Sequence, residues 1–113
     1  MNGPALAATL HKLGLTAATA ATMFNVRERA VQRWLDGTAP VPAGVQNTLR
    51  LYTEVAEGQV RRMAANGERD GVIVTYRTED DYRTANGGPH TAGWHRACAY
   101  RAAEQTGAAL EWA

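Results

Sequence analysis

Apolar residues along the chain change period near position 70, and that change divides the sequence. Leu6, Leu10 and Leu13 recur at helical spacing, with Pro4 suited to a first turn and Gly14 to an end. Two short helices are expected next, at about residues 17–24 and 28–35, followed by a loop at 38–42. Val45, Leu49, Tyr52, Ala56 and Met63 then follow at spacings of four, three, four and seven, widened by Leu51, Val55 and Val60. They predict a long helix over about 43–65. Gly58 is a point at which it could split in two, and Asn66-Gly67 is expected to stop it. Residues 71–78 are β-branched and read as a strand. Thr78 is placed to cap a short acidic helix over 79–86, and residues 86–90 read as a loop. Thr91 is placed to cap a helix to about Thr106, ended by Gly107, and Ala109–Trp112 can close as a strand. The predicted fold is mainly α (α+β). A bundle of about five helices over 1–66 precedes a small α/β part over 67–113.

Residues 16–37 carry the most specific chemistry. Thr16 can cap the first short helix. Ala20 and Ala21 are small enough for another helix to approach closely. Asn25 stands where a tight turn needs a left-handed residue, which Asn tolerates best after Gly. At roughly 100° per residue, Ala30, Val31, Trp34 and Leu35 fall on one side of the second helix. Glu28, Arg29, Gln32, Arg33 and Asp36 fall on the other, and Gly37 ends it. The segment reads as a helix-turn-helix, whose second helix enters the DNA major groove. Arg29 and Arg33 suit guanine, Gln32 suits adenine, and Glu28 suits cytosine or orients an arginine. Thr16, Arg27 and Thr38 flank that helix and are assigned to phosphates. A solvated charged face is the plain alternative, and the residue types at the turn and core positions favour DNA.

Composition narrows the classes. With 113 residues and 45% hydrophobic content, the chain is one compact unit or two very small ones. A single cysteine, Cys98, excludes an intramolecular disulfide and fits a reducing cytosol. A cytoplasmic location is expected: the start lacks a basic leader region, and no apolar run approaches the roughly 20 residues of a membrane span. Net charge is only +1, but residues 1–62 hold seven Lys/Arg against four Asp/Glu, and residues 63–113 hold five against seven. A basic front and an acidic back suit a DNA module joined to a protein-contact module. His90, His95 and Cys98 could place ligands together, but a structural zinc needs four. They are read as a core thiol and two surface histidines, with no metal or cofactor. Asp80 and Asp81 are helix N-terminal acids rather than a catalytic pair. The chain contains no Ser and no Gly-rich phosphate loop, so an enzyme is not expected.

Leu15 through Pro42 resembles the phage repressor (Cro/cI-like) helix-turn-helix family on Thr16, Ala21, Val26, Val31, Trp34 and Gly37. It departs from the family at three places. Ala17 replaces a frequent Gln that clamps a phosphate, Leu35 replaces a frequent Glu, and Asn25 replaces the common Gly. Tyr76-Arg77-Thr78-Glu79, Asp80-Asp81-Tyr82-Arg83 and Trp94-His95-Arg96 are similar to the C-terminal part of the anti-CRISPR-associated type of small phage and bacterial regulators. That resemblance implies a homodimer formed through the C-terminal part and repression of the protein's own promoter, often shared with an anti-CRISPR gene. For some members it implies RNA as a further partner.

The expected function is a dimeric, sequence-specific DNA-binding repressor acting at an inverted repeat. Val74, Tyr76, Trp94, Leu110 and Trp112 are assigned to dimerisation. The alternatives are an antitoxin-type regulator whose tail binds a toxin, and an interaction module that uses the helix pair only as a scaffold.

Overall fold

A computed structural model describes residues 1–113. The protein is mainly helical, with six helices and one small sheet. Four helices come first: α1 (Gly3–Lys12), α2 (Ala17–Phe24), α3 (Glu28–Asp36) and α4 (Ala43–Asp70). Strand β1 (Val72–Thr75) follows, then α5 (Glu79–Asn86), α6 (Ala92–Thr106) and β2 (Ala109–Trp112). Two compact units divide the chain at Met1–Thr53 and Glu54–Ala113. Helix α4 contributes to both, so the expected boundary at 66/67 lies inside a helix.

In the first unit α1 is capped by Asn2, whose side chain accepts from the Ala5 N–H, and Pro4 lies in the first turn. Its buried stripe is Leu6 and Leu10, continued by Leu13 and Leu15 beyond the helix. Gly3 touches the end of α3 so closely that a Cβ there would lie 2.2 Å from the Leu35 carbonyl oxygen. Glycine is therefore required at this position by a backbone-to-backbone approach. Val41, Val45 and Leu49 complete the apolar interior of this unit with Ala20, Ala21, Val31 and Trp34.

Helix α4 is one uninterrupted element of 28 residues, about 42 Å long. Gly58 does not split it, so four helices precede the sheet rather than about five. Asn66-Gly67 does not stop it either. A Cβ at Gly67 would fall 2.9 Å from Ile73 Cδ1 and 3.1 Å from Ala108 Cβ, so this glycine serves packing. The stop comes at Gly71, whose φ of +75° is left-handed. Leu51 and Val55 do not widen the buried stripe as expected; both are exposed. They lie on the side of the helix away from Ala56, Val60 and Met63, which are buried.

The second unit is a two-stranded parallel sheet packed on α6, with α5 packed on α6 in turn. Parallel strands need a long crossover, and residues 76–108 supply it. The register pairs Val72 with Ala109, Ile73 with Leu110, Val74 with Glu111 and Thr75 with Trp112. Strand β1 is shorter than the expected 71–78: the chain bends at Arg77-Thr78, where Thr78 leaves to cap α5 through the Asp81 N–H. Thr91 caps α6 through the Trp94 N–H, and the Glu79 carboxylate also accepts from the Ala92 N–H. The acidic start of α5 therefore satisfies part of the start of α6. The interior here is Ile73, Thr75, Tyr82, Ala92, Trp94, His95, Cys98, Ala99 and Ala102 with the apolar residues of α4.

His95 corrects an expectation. It is buried rather than a surface residue, and its Nδ1 shares a 2.8 Å hydrogen bond with Thr75 Oγ1. The rings of Tyr76 and Tyr82 lie 5.1 and 5.5 Å from it. A β-branched hydroxyl on the inner face of β1 gives the imidazole a partner, which makes its burial tolerable.

Candidate nucleic-acid interface

The side chains assigned to DNA lie on α3, at its N-cap Arg27, just beyond its end at Thr38, and at the N-cap of α2, Thr16. Helix α2 begins at Thr16, whose hydroxyl accepts from the Thr19 N–H and shares a second hydrogen bond with the Thr19 hydroxyl. It ends at Asn25, the chain's one non-glycine residue with positive φ, at φ 55° and ψ 46°. This left-handed residue reverses the chain within Asn25–Arg27. The Val26 N–H then returns to the Ala21 carbonyl at 2.9 Å. Buried Ala20 and Ala21 lie on α2, and α2 packs on α3.

Helix α3 turns Val31 and Trp34 inward. Trp34 meets Phe24 edge-on, at 6.3 Å between centroids and 66° between planes. Gly37, at φ 79°, closes the helix, and the Thr38 N–H returns to the Arg33 carbonyl at 3.0 Å. Both ends of α3 are thus fixed in backbone geometry while its outer face is left free. That face carries Glu28, Arg29, Gln32 and Arg33, all exposed. None of the four side chains is tied up in an ion pair or a side-chain hydrogen bond. From Glu28 to Arg33 the helix advances about 7.5 Å, roughly two base-pair steps.

The residues assigned to phosphates are distributed around this face. Arg27 occupies the N-cap position of α3 but makes no side-chain capping bond, so its exposed guanidinium is available. The Thr38 hydroxyl donates to the Arg33 carbonyl at 3.4 Å. Thr16 already serves α2 as its cap, so a phosphate there would share its hydroxyl. The first unit holds Lys12, Arg27, Arg29, Arg33 and Arg50 against Glu28 and Asp36, a net +3. The second holds seven Arg against nine Asp/Glu, a net −2. The sign asymmetry expected from the sequence therefore follows the observed units. Asp36 shares the outer face of α3, which balances two cations with two anions. Any selectivity of this face rests on placement more than on net attraction.

Gly3 and Asn2 are the residues of this unit whose importance the sequence reading missed. Asn2, two positions before a first-turn proline, is a legible capping signal. The close approach at Gly3 has no sequence signature.

The dimerisation candidates separate into two groups. Val74, Leu110 and Trp112 are exposed and Tyr76 is half-buried. Trp94 is inside the second unit, with the His90 ring stacked on it at 3.8 Å and 13°. It is therefore a core residue of this unit. The possible metal ligands are each engaged elsewhere: His90 with Trp94, His95 with Thr75, and the Cys98 sulfur 3.9 Å from the Ala56 carbonyl. Burial pushes the Cys98 thiol up to about 11. Burial also lowers the pKa values of His90 and His95 below their ordinary value. No helix is long and apolar enough to cross a membrane.

No family of known proteins matches the chain when it is scanned against family models, and no curated protein matches it in sequence.

Proposed function

We propose that this protein is a sequence-specific DNA-binding repressor, cytoplasmic in location, that acts as a homodimer on an inverted repeat. One observation carries the reading. Four polar side chains of the base-reading types stand uncommitted on one face of a helix. The backbone of that helix is fixed by a left-handed Asn25, by buried Val31 and Trp34, and by the glycine contact at Gly3. A surface kept only for solubility does not need such fixing. A surface that must meet base edges does, because hydrogen-bond readout tolerates little misplacement.

In this reading α3 lies in the major groove. Arg29 and Arg33 each offer a two-pronged donor to guanine, Gln32 pairs with adenine, and Glu28 accepts from cytosine or steers an arginine. Arg27, Thr38 and Thr16 hold the backbone on either side. One such helix reads too few base pairs for tight specific binding. Two copies would read successive major grooves about 34 Å apart. The resemblance to anti-CRISPR-associated regulators supports autoregulation as the biological setting.

Selection of bound duplexes from a randomised pool tests the proposal. The expected outcome is an enriched inverted repeat, bound less tightly as salt rises. A pool that stays random after repeated rounds would contradict it.

A further inference from the structure

The sheet of the second unit is left open in an unusual way. Parallel strands normally occur in sheets covered on both faces, and an isolated two-stranded sheet is marginal in water. Here all four residues of β2 are exposed, with Leu110 at 42% and Trp112 at 51%. The hydrogen bonds show which groups are left over. The Ala109 N–H donates to the Gly71 carbonyl and the Ala113 N–H to the Thr75 carbonyl. In a parallel ladder, alternate residues of a strand turn both backbone groups to the same neighbour. Residues 109, 111 and 113 therefore face β1. Leu110 and Trp112 direct their N–H and C=O groups at the free edge. The same two residues carry the apolar side chains, which line an open groove of about 700 Å³ with Thr75, Arg96 and Tyr100 of the same unit. Arg77 lies over the Trp112 ring at 5.5 Å and holds it in place. The edge carries no lysine or proline, which proteins use to discourage strand pairing.

We infer that the free edge of β2 pairs antiparallel with β2 of a second copy, with Leu110 on the two-fold axis, to make a continuous four-stranded sheet. Of the registers that keep the apolar side chains on one face, those centred on Ala109 or Trp112 pair a single residue of the two strands, and two others pair three. In the first, Leu110 stands opposite Leu110 of the second copy. Glu111 then meets Ala109, and Trp112 meets Ala108. In the second, Glu111 stands opposite Glu111, and like charges directly across a ladder are destabilising. The first register matches large with small and charge with neutral, and it turns the outward N–H and C=O groups of Leu110 toward each other. The edge is thus complementary to itself, as a two-fold interface requires. This deepens the DNA-binding reading by naming the seat of the second copy, and its test does not involve DNA.

Single cysteines introduced on the edge of the full chain test it, under mild oxidation and with the buried native Cys98 retained. Opposed residues of a hydrogen-bonded antiparallel pair stand about 5.5 Å apart between Cα atoms, within the range a disulfide spans. Leu110→Cys should therefore convert most of the protein to a covalent dimer. Glu111→Cys should not, because in this register the two substituted positions stand two residues out of step. The unsubstituted chain should stay uncross-linked and sediment as a dimer. Leu110→Lys should halve the mass while leaving the helical circular dichroism unchanged. Cross-linking through Glu111→Cys alone would overturn the register. A native dimer that neither variant cross-links would overturn the seat, and a native monomer would overturn the inference entirely. If Leu110→Cys cross-links and no duplex is ever bound, the DNA reading fails and this interface stands.

Discussion

The outer face of α3 and the free edge of β2 are opposite kinds of exposed surface. On α3 the backbone is satisfied by its own helix, and the side chains exposed are polar and unpaired. On the free edge of β2 the backbone groups of Leu110 and Trp112 are unpaired, and the same two residues expose apolar side chains. A hydrated, charged partner gains little from an unpaired strand edge, while a polar helix face is poorly suited to burial against protein. Under the proposed function the difference suits the two surfaces to different partners: nucleic acid for the first and protein for the second. It also says what each depends on. The α3 face depends on positions fixed from behind by Val31, Trp34 and Gly3. In the proposed dimer the β2 edge would depend on hydrogen bonds that form only when a second strand arrives.

The most disruptive way to break this comparison is Trp34→Ala. Truncating a buried Trp costs about 3–5 kcal/mol. Trp34 is what α3 turns toward Phe24, so the first unit should melt at lower temperature and DNA binding should be lost. Thermal denaturation followed by circular dichroism checks the first part, and the loss of helical signal should be partial, because the core of Trp94, Cys98 and Ala99 is untouched. Gly3→Ala should cost about 1–3 kcal/mol through overpacking against a backbone carbonyl. It should weaken all duplexes by shifting α3, without any change in the polar residues themselves. Chemical denaturation and binding isotherms on the same variant would read both effects.

Acid sharpens the comparison from the other side. The pKa values of His95 and His90 are lowered in the folded protein by burial. A folded-state pKa below the unfolded value of about 6.5 means the unfolded chain binds the proton more readily. The stability tied to these groups is therefore complete above about pH 6.5 and is lost as the pH falls below it. The thermal midpoint of the second unit should drop between pH 7.5 and pH 5. His95→Asn, which can keep an acceptor near Thr75, should flatten that profile. The smallest effect should come from oxidant and chelator. A thiol with a pKa of about 11 is almost wholly protonated at neutral pH and reacts slowly. Peroxide and chelator should each leave duplex affinity within about threefold, a difference of roughly 0.7 kcal/mol.

Much of this arrangement is legible in the residues, for definite physical reasons. Thr16, Asn25, Gly37, Thr78, Thr91 and Gly107 sit at element ends, where local backbone chemistry decides, and the structure places an end at each. The face of α3 is legible because Val31 and Trp34 repeat at helical spacing among charged neighbours. The failures are tertiary. Gly67 looks like a stop, but its missing side chain makes room for Ile73 and Ala108, two residues that chain distance does not connect to it. Leu51 and Val55 look like core because they are apolar, yet they fall on the far side of α4. His95 looks like surface because its partner, Thr75, lies 20 residues away on a strand. Trp94 looks like interface because it is large, and it fills the interior of its own unit instead.

The central claim is that side chains of α3 distinguish bases rather than merely attract phosphate. The direct measurement is the ratio of affinities for the selected duplex and a scrambled one, at fixed salt, in the native chain and in Arg33→Ala. A lost two-pronged base contact should cost about 1–3 kcal/mol on the selected duplex and much less on the scrambled one, so the ratio should fall. Thr16→Ala, tested alongside, should weaken both duplexes evenly and leave the ratio intact. An Arg33→Ala variant that weakens both duplexes equally, with the ratio unchanged, would contradict the claim.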